Sequence, residues 1–207
     1  MRREKEMRFH YRVSVILINL LLKVLRGVEK QGKDYIPQKG GALIASNHID
    51  IYDPPLIGCA SPRELYYLAK KELFGNPLFA WLIKKFNTIP ISRGSFDRKG
   101  LKKALEVLSS GKTLLIFPEG ARSKDGNLKE LKLGVAKLAL EAKVPIVPAY
   151  LDYSKNWLKA FFQRRKIVIK FGSPINTDAL SQIPKNREGY RRIVQEIMQR
   201  IKALKET

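Results

Sequence analysis

Two hydrophobic periods alternate along the chain. Short, nearly unbroken apolar runs occur at Gly41 to Ser46, Glu64 to Ala69, Thr88 to Ser92, Thr113 to Phe117, Val144 to Leu151 and Ile167 to Phe171. Runs of this length predict buried strands. Between them, apolar residues recur at helical spacing. Pro77 to Phe86 carries Leu78, Phe79, Trp81, Leu82 and Phe86; the next segment carries Leu101, Ala104, Leu105 and Leu108, with Gly111 as its terminator. Leu131 to Ala142 is a further helix. The tail places Tyr190, Ile193, Val194, Ile197, Met198, Ile201 and Leu204 on one stripe among basic residues. Pro90 assigns its strand to an edge or irregular position, because proline gives no N–H to a ladder. This βαβα order predicts an α/β fold, a single domain with a mostly parallel β-sheet covered by helices.

The N-terminus departs from that alternation. Residues 1–12 are polar and mostly basic, and Val13 to Leu25 is apolar apart from Ser14, Asn19 and Lys23. As a helix the apolar run covers about 20 Å, short of the ~30 Å hydrocarbon core of a bilayer. Lys23, Arg26 and Lys30 stand where a signal peptide would have its small-residue cleavage site. Residues 1–27 therefore predict a basic, apolar membrane-associating helix ahead of an α/β domain over 28–207. The alternative is a helix packed on the domain's own core. A second amphipathic stretch, Asn156 to Lys166, combines aromatics with a basic cluster and carries the same two readings.

Charge narrows the partner. Lys and Arg number 40 against 19 Asp and Glu, a net +21. That balance calls for a polyanion, either nucleic acid or an anionic membrane surface. RNP aromatics, zinc-finger spacing and a helix-turn-helix pattern are absent from the sequence, and the basic residues are spread over many segments. An anionic phospholipid membrane is thus expected and nucleic acid is not. Cys59 is the single cysteine, which rules out an intrachain disulfide and permits a reducing compartment. No Cys/His cluster has metal-ligand spacing, so no metal is expected.

The candidate chemistry begins at Asn47-His48-Ile49-Asp50-Ile51-Tyr52-Asp53-Pro54, directly after a predicted strand. Asp53 before Pro54 has the order of a helix N-cap and first helical residue. A carboxylate beside an imidazole fixes its tautomer and frees the other nitrogen to take a proton; the plainer reading is a loop histidine and an unrelated capping aspartate. In a parallel sheet, ligands bind where the strands end. Arg93 follows the Thr88 strand, and Pro118-Glu119-Gly120-Ala121-Arg122-Ser123 follows the Thr113 strand. A shared edge would gather His48, Arg93, Glu119 and Arg122 in one crevice. A base beside two guanidiniums suits proton abstraction next to a phosphate.

Asn47-His48 with Asp53, and Phe117-Pro118-Glu119-Gly120-x-Arg122-Ser123, resemble the first and third motifs of the glycerolipid acyltransferases, a family that includes lysophosphatidic acid acyltransferases. Arg93 matches the arginine closing the second motif, and Val144 to Ala149 resembles the fourth. Ala121 stands where threonine is common, and Leu133 where lysine often precedes the glycine. The resemblance implies transfer of a fatty acyl group from an acyl-CoA or acyl carrier protein thioester to the free hydroxyl of 1-acylglycerol-3-phosphate (lysophosphatidic acid), giving phosphatidic acid. Glycerol-3-phosphate or another lysolipid is the alternative acceptor. It implies His48 as general base and Asp53 as its orienter, with Asn47, Arg93, Glu119, Gly120 and Arg122 on the substrate. For Glu119 a purely structural turn role stays open. No bound cofactor is implied. The enzyme would be monotopic or peripheral on the cytoplasmic face of the cell membrane.

Overall fold

In the computed structural model, which describes residues 7–25, 27–92, 97–120, 133–154, 156, 162–163 and 165–207, the apolar runs assemble into one seven-stranded sheet. The strands are β1 (Val28–Gln31), β2 (Ala42–Ser46), β3 (Leu65–Lys70), β4 (Thr88–Ile91), β5 (Thr113–Ile116), β6 (Ile146–Asp152) and β7 (Ile167–Phe171), in the spatial order β1-β7-β6-β2-β5-β3-β4. All five residues of β2 are buried, as the unbroken run Ala42-Leu43-Ile44-Ala45-Ser46 requires of a central strand. Strands β6, β2, β5, β3 and β4 are mutually parallel, so their C-terminal ends share one edge. Pro90 lies on β4, the outermost strand, where its missing N–H disrupts no ladder.

Two features depart from the sequence expectation. β7 runs antiparallel to β6, and β1 pairs parallel with β7, so these two strands end at the opposite edge. β1 itself, Val28-Glu29-Lys30-Gln31, has only one apolar residue and its last two residues are exposed. An edge strand of this kind is held by its backbone ladder and leaves no hydrophobic signature.

Helices cover both faces. On one side lie α4 (Arg98–Ser109), α5 (Gly134–Ala142), α6 (Thr177–Ser181) and α7 (Arg187–Glu206). The α7 stripe buries Ile193, Val194, Ile197 and Ile201, and full burial of each such side chain is worth about 1.5–3 kcal/mol. α4 starts with the Asp97 carboxylate accepting the Gly100 N–H at 2.9 Å. It ends where the N–H of Gly111, at φ +79°, bonds the Leu108 carbonyl and the N–H of Lys112 bonds that of Val107. This is the glycine-terminated end expected from the sequence.

The other face is covered by α2 (Asp53–Ala60) and α1 (Phe9–Leu25). α1 straps the sheet. At its start, the backbone N–H and Nε of Arg8 donate to Glu64, beside β3, at 3.0 and 2.7 Å. Just past its end, the Gly27 carbonyl accepts the Ile167 N–H of β7 at 3.1 Å. Tyr11 and Leu22 are buried, with Val15 and Ile18 packed between them. The Tyr11 hydroxyl is 2.8 Å from that of Tyr67. The outer face keeps Leu17, Leu20, Leu21 and Val24 between 56 and 74% exposed. One face thus packs on the domain core while the other stays apolar and uncovered. Among the described residues, no helix is long and apolar enough to cross a membrane.

Candidate active site

β2 delivers Asn47 and His48 to the edge where the parallel strands end. Asn47, expected among the substrate-binding residues, hydrogen-bonds β6 through both ends of its amide. Nδ2 donates to the Leu151 carbonyl at 2.9 Å, and Oδ1 accepts the Leu151 N–H at 2.8 Å. This clamp extends the β2–β6 ladder by one side chain and fixes where the loop leaves the sheet.

Asp53 is the first residue of α2 rather than its cap; Tyr52 occupies the cap position with no side-chain cap bond. The physical reason is local. Pro54 and Pro55 offer no N–H, and the N–H of Leu56 is taken by the Tyr52 carbonyl at 3.1 Å. The carboxylate therefore turns back into the loop. Its Oδ2 accepts the N–H of Ile49 at 2.5 Å and of Asp50 at 2.9 Å, and lies 2.6 Å from His48 Nδ1. Its Oδ1 accepts the Tyr153 hydroxyl at 2.7 Å. A carboxylate that accepts on every side assigns the hydrogen of the His48 contact to Nδ1. Nε2 is then the nitrogen with a lone pair, able to take a proton from a hydroxyl.

β5, the neighbour of β2, supplies the other side of the ring. Phe117 stacks on the His48 imidazole, with centroids 4.0 Å apart and planes 18° from parallel. Glu119, 4% exposed, accepts the His48 N–H on Oε1 at 3.1 Å. The turn that carries it closes with the Gly120 N–H on the Phe117 carbonyl, and Gly120 has φ +63°. That left-handed conformation favours glycine over any residue with a Cβ. His48 and Glu119 thus meet as the parallel arrangement predicts. Arg93 and Arg122 lie outside the described residues. β4, which precedes Arg93, is separated from β2 by β5 and β3, a strand-to-strand distance of roughly 14 Å.

Tyr153 and Phe117 are the site residues that sequence reasoning did not single out. Tyr153 follows the last residue of β6, the parallel neighbour of β2 on its other side. Its signal in the sequence is a hydroxyl-bearing residue directly after a strand end, the same setting that marks His48 and Glu119. Cys59 is buried in α2, and burial pushes its thiol up to about 11. It stays protonated near neutrality and is a poor nucleophile. Among the described residues, no group of His, Cys, Asp and Glu side chains could hold a metal ion.

A protein-family model described as Acyltransferase matches residues 27–152 of the chain, which run from β1 through the His48 loop to the end of β6. The chain belongs to the acyltransferase family. It is 28% identical over 195 residues to the 1-acyl-sn-glycerol-3-phosphate acyltransferase of Bacillus subtilis (strain 168), covering 94% of this chain and 96% of that protein. It is 36% identical over 115 residues to the lyso-ornithine lipid O-acyltransferase of Pseudomonas aeruginosa, covering 55% of this chain and 44% of that protein. The fold matches the crystal structure of a 1-acyl-sn-glycerophosphate (LPA) acyltransferase from Thermotoga maritima with a TM-score of 0.70 at 24% identity, over 97% of this chain and 85% of the other. In this acyltransferase, the His48 loop and the Glu119 turn of the sequence motifs come together at one sheet edge.

Proposed function

We propose that this acyltransferase acylates the free hydroxyl of 1-acylglycerol-3-phosphate, with acyl-CoA or acyl carrier protein as thioester donor, and releases phosphatidic acid and the free thiol. The observation that carries the mechanism is the His48 Nδ1 to Asp53 Oδ2 contact at 2.6 Å, which leaves Nε2 as base. His48 takes the hydroxyl proton as the oxygen attacks the thioester carbonyl. Asp53 holds the ring and stabilises the imidazolium that forms. As the tetrahedral intermediate collapses, the C–S bond breaks and the thiolate takes up the proton. A thioester is reactive enough for direct attack, so no acyl-enzyme is required, in keeping with the inert thiol of Cys59.

The acceptor follows from the names of the full-length relatives and from the resemblance of Arg93 and Arg122 to phosphate-holding arginines. The test is turnover of purified protein with labelled acyl-CoA and acyl carrier protein against a panel of lysolipids. Lysophosphatidic acid is expected to be the fastest acceptor; a faster rate with glycerol-3-phosphate or lyso-ornithine lipid overturns this assignment. The second reading, another lysolipid, is favoured by the likeness to the Pseudomonas lyso-ornithine lipid O-acyltransferase.

The acceptor dissolves in lipid, so the enzyme must work at a membrane. The exposed apolar face of α1 and the net charge of +21 support monotopic or peripheral binding to the cytoplasmic face of an anionic membrane. In this reading residues 1–27 supply a lipid-contacting helix, seated by its inner face on the catalytic domain of 28–207.

A further inference from the structure

A second helix is more exposed than its sequence warrants. Helix α3, Pro77–Lys85, reads Pro-Leu-Phe-Ala-Trp-Leu-Ile-Lys-Lys, yet Ala80 is its single buried residue. Leu78, Trp81 and Leu82 are 76, 55 and 44% exposed. Its cap is well made, with Asn76 Oδ1 accepting the Phe79 N–H at 3.0 Å and proline in the first turn. This is a formed helix with an uncovered apolar face, and such faces mark contact surfaces.

We propose that α3 is a second lipid-contacting helix, and that its occupant is an anionic leaflet. The inference rests on the membrane reading above and adds to it an element of the catalytic domain itself. Three observations select lipid. First, Lys70, Lys71, Lys84 and Lys85 flank the apolar face, with Glu72 the one carboxylate in the segment. Second, the Lys85 ammonium lies 3.8 Å from the Trp81 ring centroid. An indole carrying a cation over its face is an amphipathic pairing suited to an interfacial helix. Third, the end of α3 abuts the start of α1, the helix already read as lipid-contacting: the Lys85 carbonyl accepts from Arg8 at 3.2 Å and lies 3.2 Å from His10 Nε2, and the Phe86 ring is 5.9 Å from that of the buried Tyr11. A symmetric contact with a second copy would set these lysines against each other.

Trp81 reports on its own surroundings. The chain has two tryptophans, so Trp157→Phe leaves Trp81 as the sole emitter. In that background, anionic vesicles should shift Trp81 emission to the blue, and brominated acyl chains should quench it. Leu78→Glu with Leu82→Glu should weaken vesicle binding about tenfold or more. Circular dichroism and turnover of detergent-dispersed acceptor should stay at the parent level. Protein that binds vesicles with Trp81 unshifted and unquenched overturns the α3 proposal and leaves the membrane reading standing on α1. Protein that ignores anionic vesicles overturns both. A blue shift that grows with protein concentration in the absence of lipid, alongside a dimer by light scattering, assigns the face to a second copy and overturns the proposal.

Discussion

The Tyr153 hydroxyl donates to Oδ1 of Asp53 at 2.7 Å while His48 engages Oδ2 of the same carboxylate at 2.6 Å. Tyr153 and Asp53 are both buried, so their bond is shielded from water. It fixes the carboxylate's rotation, and through it the plane of the imidazole. Tyr153 acts as a positioning residue, touching the orienter rather than the reacting atoms.

Tyr153→Phe keeps the ring and removes the donor. A bond to a charged group is worth about 1.5–3 kcal/mol, so a kcat loss of about tenfold or more is expected, with KM for both substrates near parental. Steady-state kinetics together with Tm check this. A stability loss with kcat unchanged would make the tyrosine purely structural.

His48→Ala should cost about 10²–10⁴ in kcat, the usual span for a general base. The fold should persist, because the ring stacks on Phe117 at the sheet edge rather than filling the core. Asp53→Asn should lower kcat too, since an amide presents a donor where Ile49 and Asp50 also donate. Retention of more than about a tenth of parental turnover in His48→Ala removes it as base.

Glu119 offers a choice between two roles. Glu119→Gln preserves an oxygen to accept the His48 N–H. If Glu119 chiefly holds the loop, kcat and acceptor KM should stay within about threefold of parental, well under one hydrogen bond to a charged group. A larger rise in acceptor KM alone would place the carboxylate on the glycerol. Arg93→Ala and Arg122→Ala serve as references, each expected to raise acceptor KM with donor KM unchanged.

The elements legible in the sequence were those with apolar cores. β2, β5 and β6 are unbroken apolar runs, and the α7 stripe buries the isoleucines and valine that its spacing selects. β1 was illegible because its ladder leaves no apolar pattern, and the reversal of β7 because direction is not written in a strand's composition. At the site, chain order gave His48, Asp53 and Glu119. The Asn47 clamp and the Tyr153 bond escaped because both are made across the sheet to β6 or its exit, 104 and 100 residues away along the chain. Proline chemistry at Pro54 and Pro55 explains why Asp53 is no cap, and that was readable from local donors alone.

Acid should loosen the α1 strap. Burial alone would raise the Glu64 carboxyl, but the Arg8 N–H, Asn87 and the Arg8 guanidinium together hold it below its ordinary value. A depressed carboxylate contributes stability that is present above its unfolded pKa and lost as pH falls through the folded one. The urea midpoint should therefore fall on acidification below the usual glutamate range, and the fall should be smaller in Glu64→Gln. An identical pH dependence in the two proteins would remove Glu64 from the strap's energetics.

The two faces of α1 should separate by mutation. Tyr11 and Leu22 are 2 and 5% exposed, and truncating such side chains costs about 2–5 kcal/mol each. Deleting residues 1–25 is then expected to lower Tm steeply, because the deletion removes core as well as lipid contact. Substituting the outer face spares the core. Leu17→Gln, Leu20→Gln and Leu21→Gln combined should leave Tm near parental, since these side chains are at least half exposed. The same variant should lose the salt-resistant part of vesicle binding, because charge attraction is screened over a Debye length of about 10 Å at 0.1 M whereas apolar burial is not. Its turnover should drop more on vesicle-borne lysolipid than on detergent-dispersed lysolipid. Sedimentation with anionic vesicles at low and high salt, alongside thermal melts, separates the outcomes. A triple variant that still binds at high salt as the parent does would show that α1 serves the core alone.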